Sequence, residues 1–136
     1  MRVFPDANFL VAAGLRPGGD YRMVLDTSQD RYVTSEHVLL EVSRNLERLG
    51  VDSDAYVRRL RQFMELTDRI DMLPVSLPLE GAGDRQALAE AVGAACDVFI
   101  TTDKDFNSLF GNRVKGVLVE KSSTYVRRAL GFTTDS

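Results

Sequence analysis

The sequence contains one cysteine, Cys96, one histidine, His37, and no tryptophan in 136 residues. A lone cysteine closes no internal disulfide, and one cysteine with one histidine cannot assemble a zinc site of the thiolate and imidazole kind. Cys96 is therefore expected to be a buried, inert thiol. Long apolar stretches are lacking as well. Runs such as Val98-Phe99-Ile100 are far too short to cross a bilayer, so no membrane span is expected. The opening Met-Arg-Val-Phe-Pro-Asp leads straight into an apparent strand, without the basic start, apolar middle and small-residue cleavage site of a secretory signal, and a cytoplasmic location is expected. No internal repeat, low-complexity tract or long linker interrupts the chain, and the strongest punctuation, Leu77 to Gly83, amounts to one loop. Any chemistry must then rest mainly on carboxylates.

What is present suits one hydrophobic core. With 44% hydrophobic and 27% charged residues, the chain is expected to be a single domain over residues 1–136. Short β-type runs alternate with longer helical patterns. Strands are expected at Arg2 to Pro5, Arg31 to Thr34, Asp71 to Val75, Val98 to Thr101 and Val117 to Glu120. Helices are expected at Ala7 to Leu15, Asp20 to Thr27, Ser35 to Leu49, Ser53 to Ile70, Asp84 to Cys96, Asp105 to Phe110 and Thr124 to Leu130. Ser35, Ser53 and Ser123 stand at N-cap positions, and Gly50 and Gly131 at helix stops. The alternation predicts an α/β fold, a three-layer α/β/α sandwich around a mainly parallel central sheet of about five strands. Open sheets of this kind bind ligands outside the carboxyl ends of their strands. Asp6 follows the first strand and Asp103 follows Val-Phe-Ile-Thr-Thr, so both fall in that region.

Each candidate acid also has a plainer role. Asp6 lies between two apolar stretches, where an ionised carboxylate is costly unless hydrogen bonds, a cation or a metal compensate it, but aspartate there also suits an N-cap. Glu41 flanks the stripe of Val38, Val42, Leu46 and Leu49, at a solvated border or the edge of a cleft. Asp84 heads a stripe of Ala87, Leu88, Ala91 and Ala95, whose small residues allow close approach to a sheet; it too can be an N-cap. In Ile-Thr-Thr-Asp-Lys-Asp-Phe, Asp103 is assigned to the strand's carboxyl edge and Asp105 to the cap of the following short helix. Asp97, before that strand, is read as structural. Net charge is −3, from 17 basic and 20 acidic residues; setting the four candidate acids aside leaves 16 acidic against 17 basic. Net charge therefore does not decide for or against a nucleic-acid partner.

The order strand-Asp, helix-Glu, helix-start Asp and strand-end Asp is more specific than any one of them. Val-Phe-Pro-Asp-Ala-Asn-Phe-Leu-Val resembles the opening motif of PIN domains, an apolar strand ending in Asp-x-Asn or Asp-x-Ser. Thr-Ser-Glu-His-Val-Leu-Leu-Glu-Val resembles the segment carrying that family's glutamate, placing it on Glu41. Gly-Asp-Arg-Gln-Ala-Leu-Ala-Glu-Ala and Ala-Cys-Asp-Val-Phe-Ile-Thr-Thr-Asp-Lys-Asp-Phe resemble its closing acidic pair, Asp84 and Asp103. Pro5 departs from the pattern, because proline cannot donate to the sheet and should weaken pairing at the strand's end. The resemblance covers Arg2 to about Phe110.

This resemblance implies a metal-dependent ribonuclease acting on single-stranded RNA. Asp6, Glu41, Asp84 and Asp103 would hold one or two Mg²⁺ or Mn²⁺ ions, hard cations that prefer oxygen ligands. Asn8 and Thr101 would orient a carboxylate, water or phosphate, and Lys104, Arg44, Arg113 and Lys115 are candidate backbone contacts. The helix from Ser53 to Ile70 is first a core-packing helix, whose surplus of large apolar groups can also form a dimer seam; a toxin role, an antitoxin partner and a homodimer are implied by resemblance to small PIN proteins. The alternative is a catalytically quiet PIN-like module that binds RNA or protein. Aspartyl-phosphate proteins also end a strand with aspartate, but a dehalogenase-type phosphatase needs a second aspartate where this chain has Asn8. A receiver needs an acidic pair near the first strand, which is missing.

Overall fold

The computed structural model describes residues Met1 to Gly131. Strands β1 (Arg2–Pro5), β2 (Arg31–Thr34), β3 (Glu65–Leu66), β4 (Val98–Thr101), β5 (Arg113–Val114) and β6 (Val117–Lys121) form a sheet in the order β3-β2-β1-β4-β6-β5. Every neighbouring pair is parallel except β5 with β6. Helices α1 (Ala7–Leu15) and α2 (Asp20–Thr27) link β1 to β2, while α3 (Glu36–Arg48) and α4 (Asp54–Phe63) link β2 to β3. α5 (Ala82–Gly93) precedes β4, a 3-10 helix (Lys104–Leu109) follows it, and α6 (Ser122–Ala129) follows β6. The step from β1 to β2 and the step from β3 to β4 run in opposite directions along the sheet. Right-handed crossovers therefore put α1 and α5 on opposite faces, which produces the expected three layers.

Sequence pattern explains the central strands directly. All four residues of β4, Val-Phe-Ile-Thr, are buried, as a parallel strand covered on both faces requires. Phe99 of β4 stacks on Phe4 of β1 at 5.9 Å between centroids and meets Phe106 of the 3-10 helix at 5.2 Å. Pro5 does not disrupt β1. The Asp6 amide donates to the Ile100 carbonyl at 2.8 Å on the β4 side, so the adjacent position, where proline lacks its N–H, faces β2. Pairing with β2 is confined to Arg2 and Val3, whereas pairing with β4 continues through Pro5. The missing donor thus falls where the ladder has already ended.

The expected strand at Asp71 to Val75 is not formed, and the expected long helix ends at Phe63 rather than Ile70. Leu60 and Met64 are buried, after which Glu65 and Leu66 pair with Val33 and Thr34 as a short edge strand. Arg2 reaches across to Glu65 with an ion pair of 2.6 Å. Met72 and Val75 are almost fully exposed, so no sheet or helix covers an apolar face there. Leu49 is exposed too, because α3 stops at Arg48 and Leu49 is its C-cap. Ser35 caps α3 as expected, its hydroxyl accepting from the Val38 amide at 3.2 Å while donating to Glu90. Ser53 occupies the N-cap of α4, but its hydroxyl pairs with Ser43 instead of the helix, and Ser123 lies inside α6, whose N-cap is Lys121. Gly50 and Gly131 take φ of 77° and 80° just past α3 and α6, the left-handed exit glycine allows.

The segment after β3 is held against α5. The Asp71 amide donates to the Ala89 carbonyl at 3.1 Å, and a Cβ on Gly93 would stand 2.7 Å from the Arg69 carbonyl oxygen. Backbone cannot yield as a side chain can. Gly93→Ala is expected to destabilise the fold by about 1–3 kcal/mol, measured as a lowered urea midpoint; an unchanged midpoint would show that this approach is not tight.

Candidate active site

The winding direction reverses between β1 and β4, and the crevice outside their carboxyl ends is where an open α/β sheet presents a ligand site. Asp6 and Asp103 emerge there. Asp6 is buried and its carboxylate is fixed by two donors: the Ala7 amide to Oδ1 and the Thr101 hydroxyl to Oδ2, each at 2.8 Å. Thr101 Oγ1 in turn accepts from the Asp103 amide at 3.0 Å. Asp103 Oδ1 accepts from the Asp105 amide at 2.9 Å, so Asp103 caps the 3-10 helix while remaining at the site. The cap assigned to Asp105 therefore belongs to Asp103: an aspartate reaches the amide two residues on, and that amide is Asp105's own.

Asp84 arrives from the opposite side, in the first turn of α5. Its Oδ2 lies over Gly81, where an added Cβ would come within 3.1 Å. Carboxylate oxygens of Asp6, Asp84 and Asp103 all lie within 4.8 Å of one another. Glu41 of α3 stands outside that group but borders it: its Oε1 would be 3.7 Å from a Cβ on Gly83, and its charge acts on Asp6. Gly81 and Gly83 were not singled out by the sequence pattern, although their places on either side of Asp84 were the available signal. Asn8 Oδ1 accepts from the Thr102 amide at 3.4 Å, and Lys104 is exposed at the start of the 3-10 helix. Arg113 and Lys115 lie far from the acids, at the β5–β6 turn on the opposite end of the sheet, because the turn precedes β6 and the acids follow β4. Arg44 is exposed on α3, one turn beyond Glu41. Asp97, as expected, is structural, accepting from the Arg2 amide at 2.8 Å.

Burial, with neighbouring charge added to it, raises the proton affinity of Asp6 and Asp84. Burial pushes Asp6 up to about 6, assisted by the charges of Glu41 and Asp103 and opposed by the bonds from Thr101 and Ala7. Asp84 is pushed up to about 7, first by burial and then by Asp103, Asp6 and Asp105. The donor set consists of oxygens only, and each Asp6 oxygen retains a lone pair beyond the bond it accepts. Three carboxylates that converge within 4.8 Å, with Asp6 and Asp84 pushed above the ordinary carboxylate range, fit a hard divalent cation such as Mg²⁺ or Mn²⁺, whose charge would offset their mutual repulsion.

The raised Asp6 pKa has a consequence for stability. A carboxyl that binds its proton more tightly in the folded chain stabilises the fold below its ordinary value of 3.8, and loses that contribution as pH rises through about 6. In metal-free buffer, Asp6→Asn should therefore gain on the wild type between pH 4 and pH 7.5, by on the order of 1–3 kcal/mol in urea unfolding. A difference independent of pH would contradict the burial of an ionised Asp6.

No family model matches the chain, and no curated protein matches it. Among solved structures, a chain of VapBC2 from Rickettsia felis bound to a DNA fragment from their promoter superposes with a TM-score of 0.67 and 15% identity. The match covers 89% of this chain and 98% of that one. At that identity the likeness is one of fold, and the fold is the PIN-type α/β/α architecture that the sequence motifs resemble.

Proposed function

We propose that the protein is a metal-dependent endoribonuclease that hydrolyses phosphodiester bonds of single-stranded RNA, with Asp6, Glu41, Asp84 and Asp103 as its catalytic carboxylates. The meeting of three of these acids within 4.8 Å at the reversal point of a PIN-type sheet carries the reading. Asp6, Asp84 and Asp103 would hold Mg²⁺ or Mn²⁺, which would supply Lewis-acid activation of a water and offset charge on the phosphate and leaving oxygen. Asp6, immobilised by Ala7 and Thr101, gives the site its fixed point. Asp103 is tied to the same hydroxyl through its own amide, and its carboxylate is held by the Asp105 amide. Asp84 closes the group from α5. Glu41, at the border of the group, would add a further carboxylate oxygen to the surroundings of the ion. Asn8 pins the backbone of Thr102, and Lys104 offers a cation to the RNA chain.

A toxin role with an antitoxin partner extends this reading. Its support is the shared fold with a VapBC2 chain, together with apolar side chains left exposed at Phe63, Leu66, Ile70, Met72 and Val75, which suit a protein contact or a homodimer seam. We place the activity in one domain over residues 1–136 and in the cytoplasm; no helix among the described residues is long and apolar enough to cross a membrane.

Cleavage of a labelled single-stranded RNA with Mn²⁺ tests the site. Asp6→Asn and Asp103→Asn should each slow cleavage by roughly a hundredfold or more, while Glu41→Gln should slow it less. Equal cleavage by wild type and Asp6→Asn rejects the site. Mn²⁺ should also raise the wild-type melting temperature and release protons on binding near pH 6.5, because Asp6 and Asp84 must give up theirs. Stabilisation by Mn²⁺ without any cleavage would favour the quiet binding module.

A further inference from the structure

Beside the acids, and sharing Thr101 with them, lies a cavity of about 290 Å³. It opens at the carboxyl ends of β4 and β6, where Thr101 pairs with Lys121 in the sheet register. Its lining differs sharply in sign from its neighbour. Lys104 and Lys121 contribute two cations, Ser122 and Ser123 contribute hydroxyls, Tyr21 and Phe110 contribute aromatic rings, and no carboxylate among the described residues lines it.

Two independent features mark this space for an anion. α6 begins in its wall at Ser122, with no side chain capping the first turn and no acidic residue within it, so the amides there have no side-chain acceptor. In addition, Ser122 is wholly buried and its Oγ has no hydrogen-bond partner among the described residues. A buried hydroxyl without a partner is rare in native proteins and calls for an acceptor. Oxygen acceptors carrying negative charge satisfy the hydroxyl, the amides and the lysines together.

The aromatic groups narrow the ligand further. Tyr21 stacks on Phe9 at 4.8 Å and 14°, which holds its ring against the core, and Lys121 lies 5.6 Å from the Phe110 ring. Rings beside an anion-binding helix start suit a nucleotide, whose base can rest on an aromatic surface while its phosphate meets the donors.

We infer that this cavity is a phosphate subsite for single-stranded RNA, gripping the nucleotide next to the phosphodiester presented to Asp6, Asp84 and Asp103. The inference rests on the nuclease reading for its substrate. Lys121 and the Ser122–Ser123 turn hold the phosphate, Lys104 adds charge at the mouth, and Tyr21 or Phe110 supports the base. Recognition is therefore of backbone and stacking, with no group in the cavity committed to one base.

Anisotropy of a labelled single-stranded 12-nucleotide RNA, titrated in EDTA so that nothing is cut, tests this directly. Lys121→Ala should weaken binding roughly tenfold and lower the slope of log affinity against log salt by about one. Ser122→Ala should weaken binding while leaving the melting temperature unchanged or raised, since it removes an unpaired buried hydroxyl. Lys115→Ala, at the far end of the sheet, should bind as the wild type. Wild-type affinity in Lys121→Ala or in Ser122→Ala overturns the subsite. So does protection of the wild type by inorganic phosphate with RNA binding indifferent to Lys121, which would assign the cavity to a free anion. Absence of cleavage with Mn²⁺ alongside a Lys121-dependent RNA affinity would sink the nuclease reading and leave the subsite standing.

Discussion

Carboxyl oxygens from Asp6, Asp84 and Asp103 converge within 4.8 Å, an arrangement that like charges resist, and the surrounding structure is organised to hold them there. The restraint centres on one hydroxyl. Thr101 is fully buried at the end of β4; it accepts from the Asp103 amide and donates to Asp6. Both bonding roles of that hydroxyl are thereby used, and two acids from distant parts of the chain are tied to one atom. Without a cation, the remaining strain appears as proton uptake, which is why burial and neighbouring charge lift Asp6 and Asp84 together.

Asp84 and Glu41 come from helices rather than strands, so their approach needs its own support. Glu90, two turns along α5 from Asp84, is buried and accepts from the Ser35 hydroxyl at 2.8 Å, with His37 at 3.4 Å. Ser35 is the N-cap of α3, the helix that carries Glu41. A contact remote from the acids thus couples the helix of Asp84 to the helix of Glu41. His37 finds its role there, as a partner of a buried carboxylate, while Cys96 is buried with its thiol pushed up to about 12, in keeping with an inert group.

Much of this was legible in the amino-acid order because β1 and β4 are short, largely apolar runs with an aspartate within two residues of their ends, and the residues just after a parallel strand land at the ligand edge whatever the details. Asp84 was legible as the head of an alanine-rich stripe. Less was visible where structure depends on neighbours distant in sequence. β3 and β5 are two residues each, too short for alternation to register, and β3 exists only because β2 offers an open edge. Asp71 to Val75 has strand-like composition, yet lies largely exposed against α5, with Asp71 bonded to Ala89 and paired with Lys115. The choice between Asp103 and Asp105 as cap turned on which carboxylate could reach an amide two residues ahead. Ser122 and Lys121 carry no local signal at all; the cavity they line with Tyr21 exists only once α2, β4 and α6 are brought together.

An acidic centre beside a basic, aromatic cavity is the arrangement expected where a polyanion must be held and one of its phosphates brought to a cation. Placement of that cation is the central claim. Anomalous diffraction from crystals grown with Mn²⁺ measures it most directly. The account predicts a peak bounded by the carboxylates of Asp6, Asp84 and Asp103; a structure saturated with Mn²⁺ elsewhere and showing none between these three would contradict it.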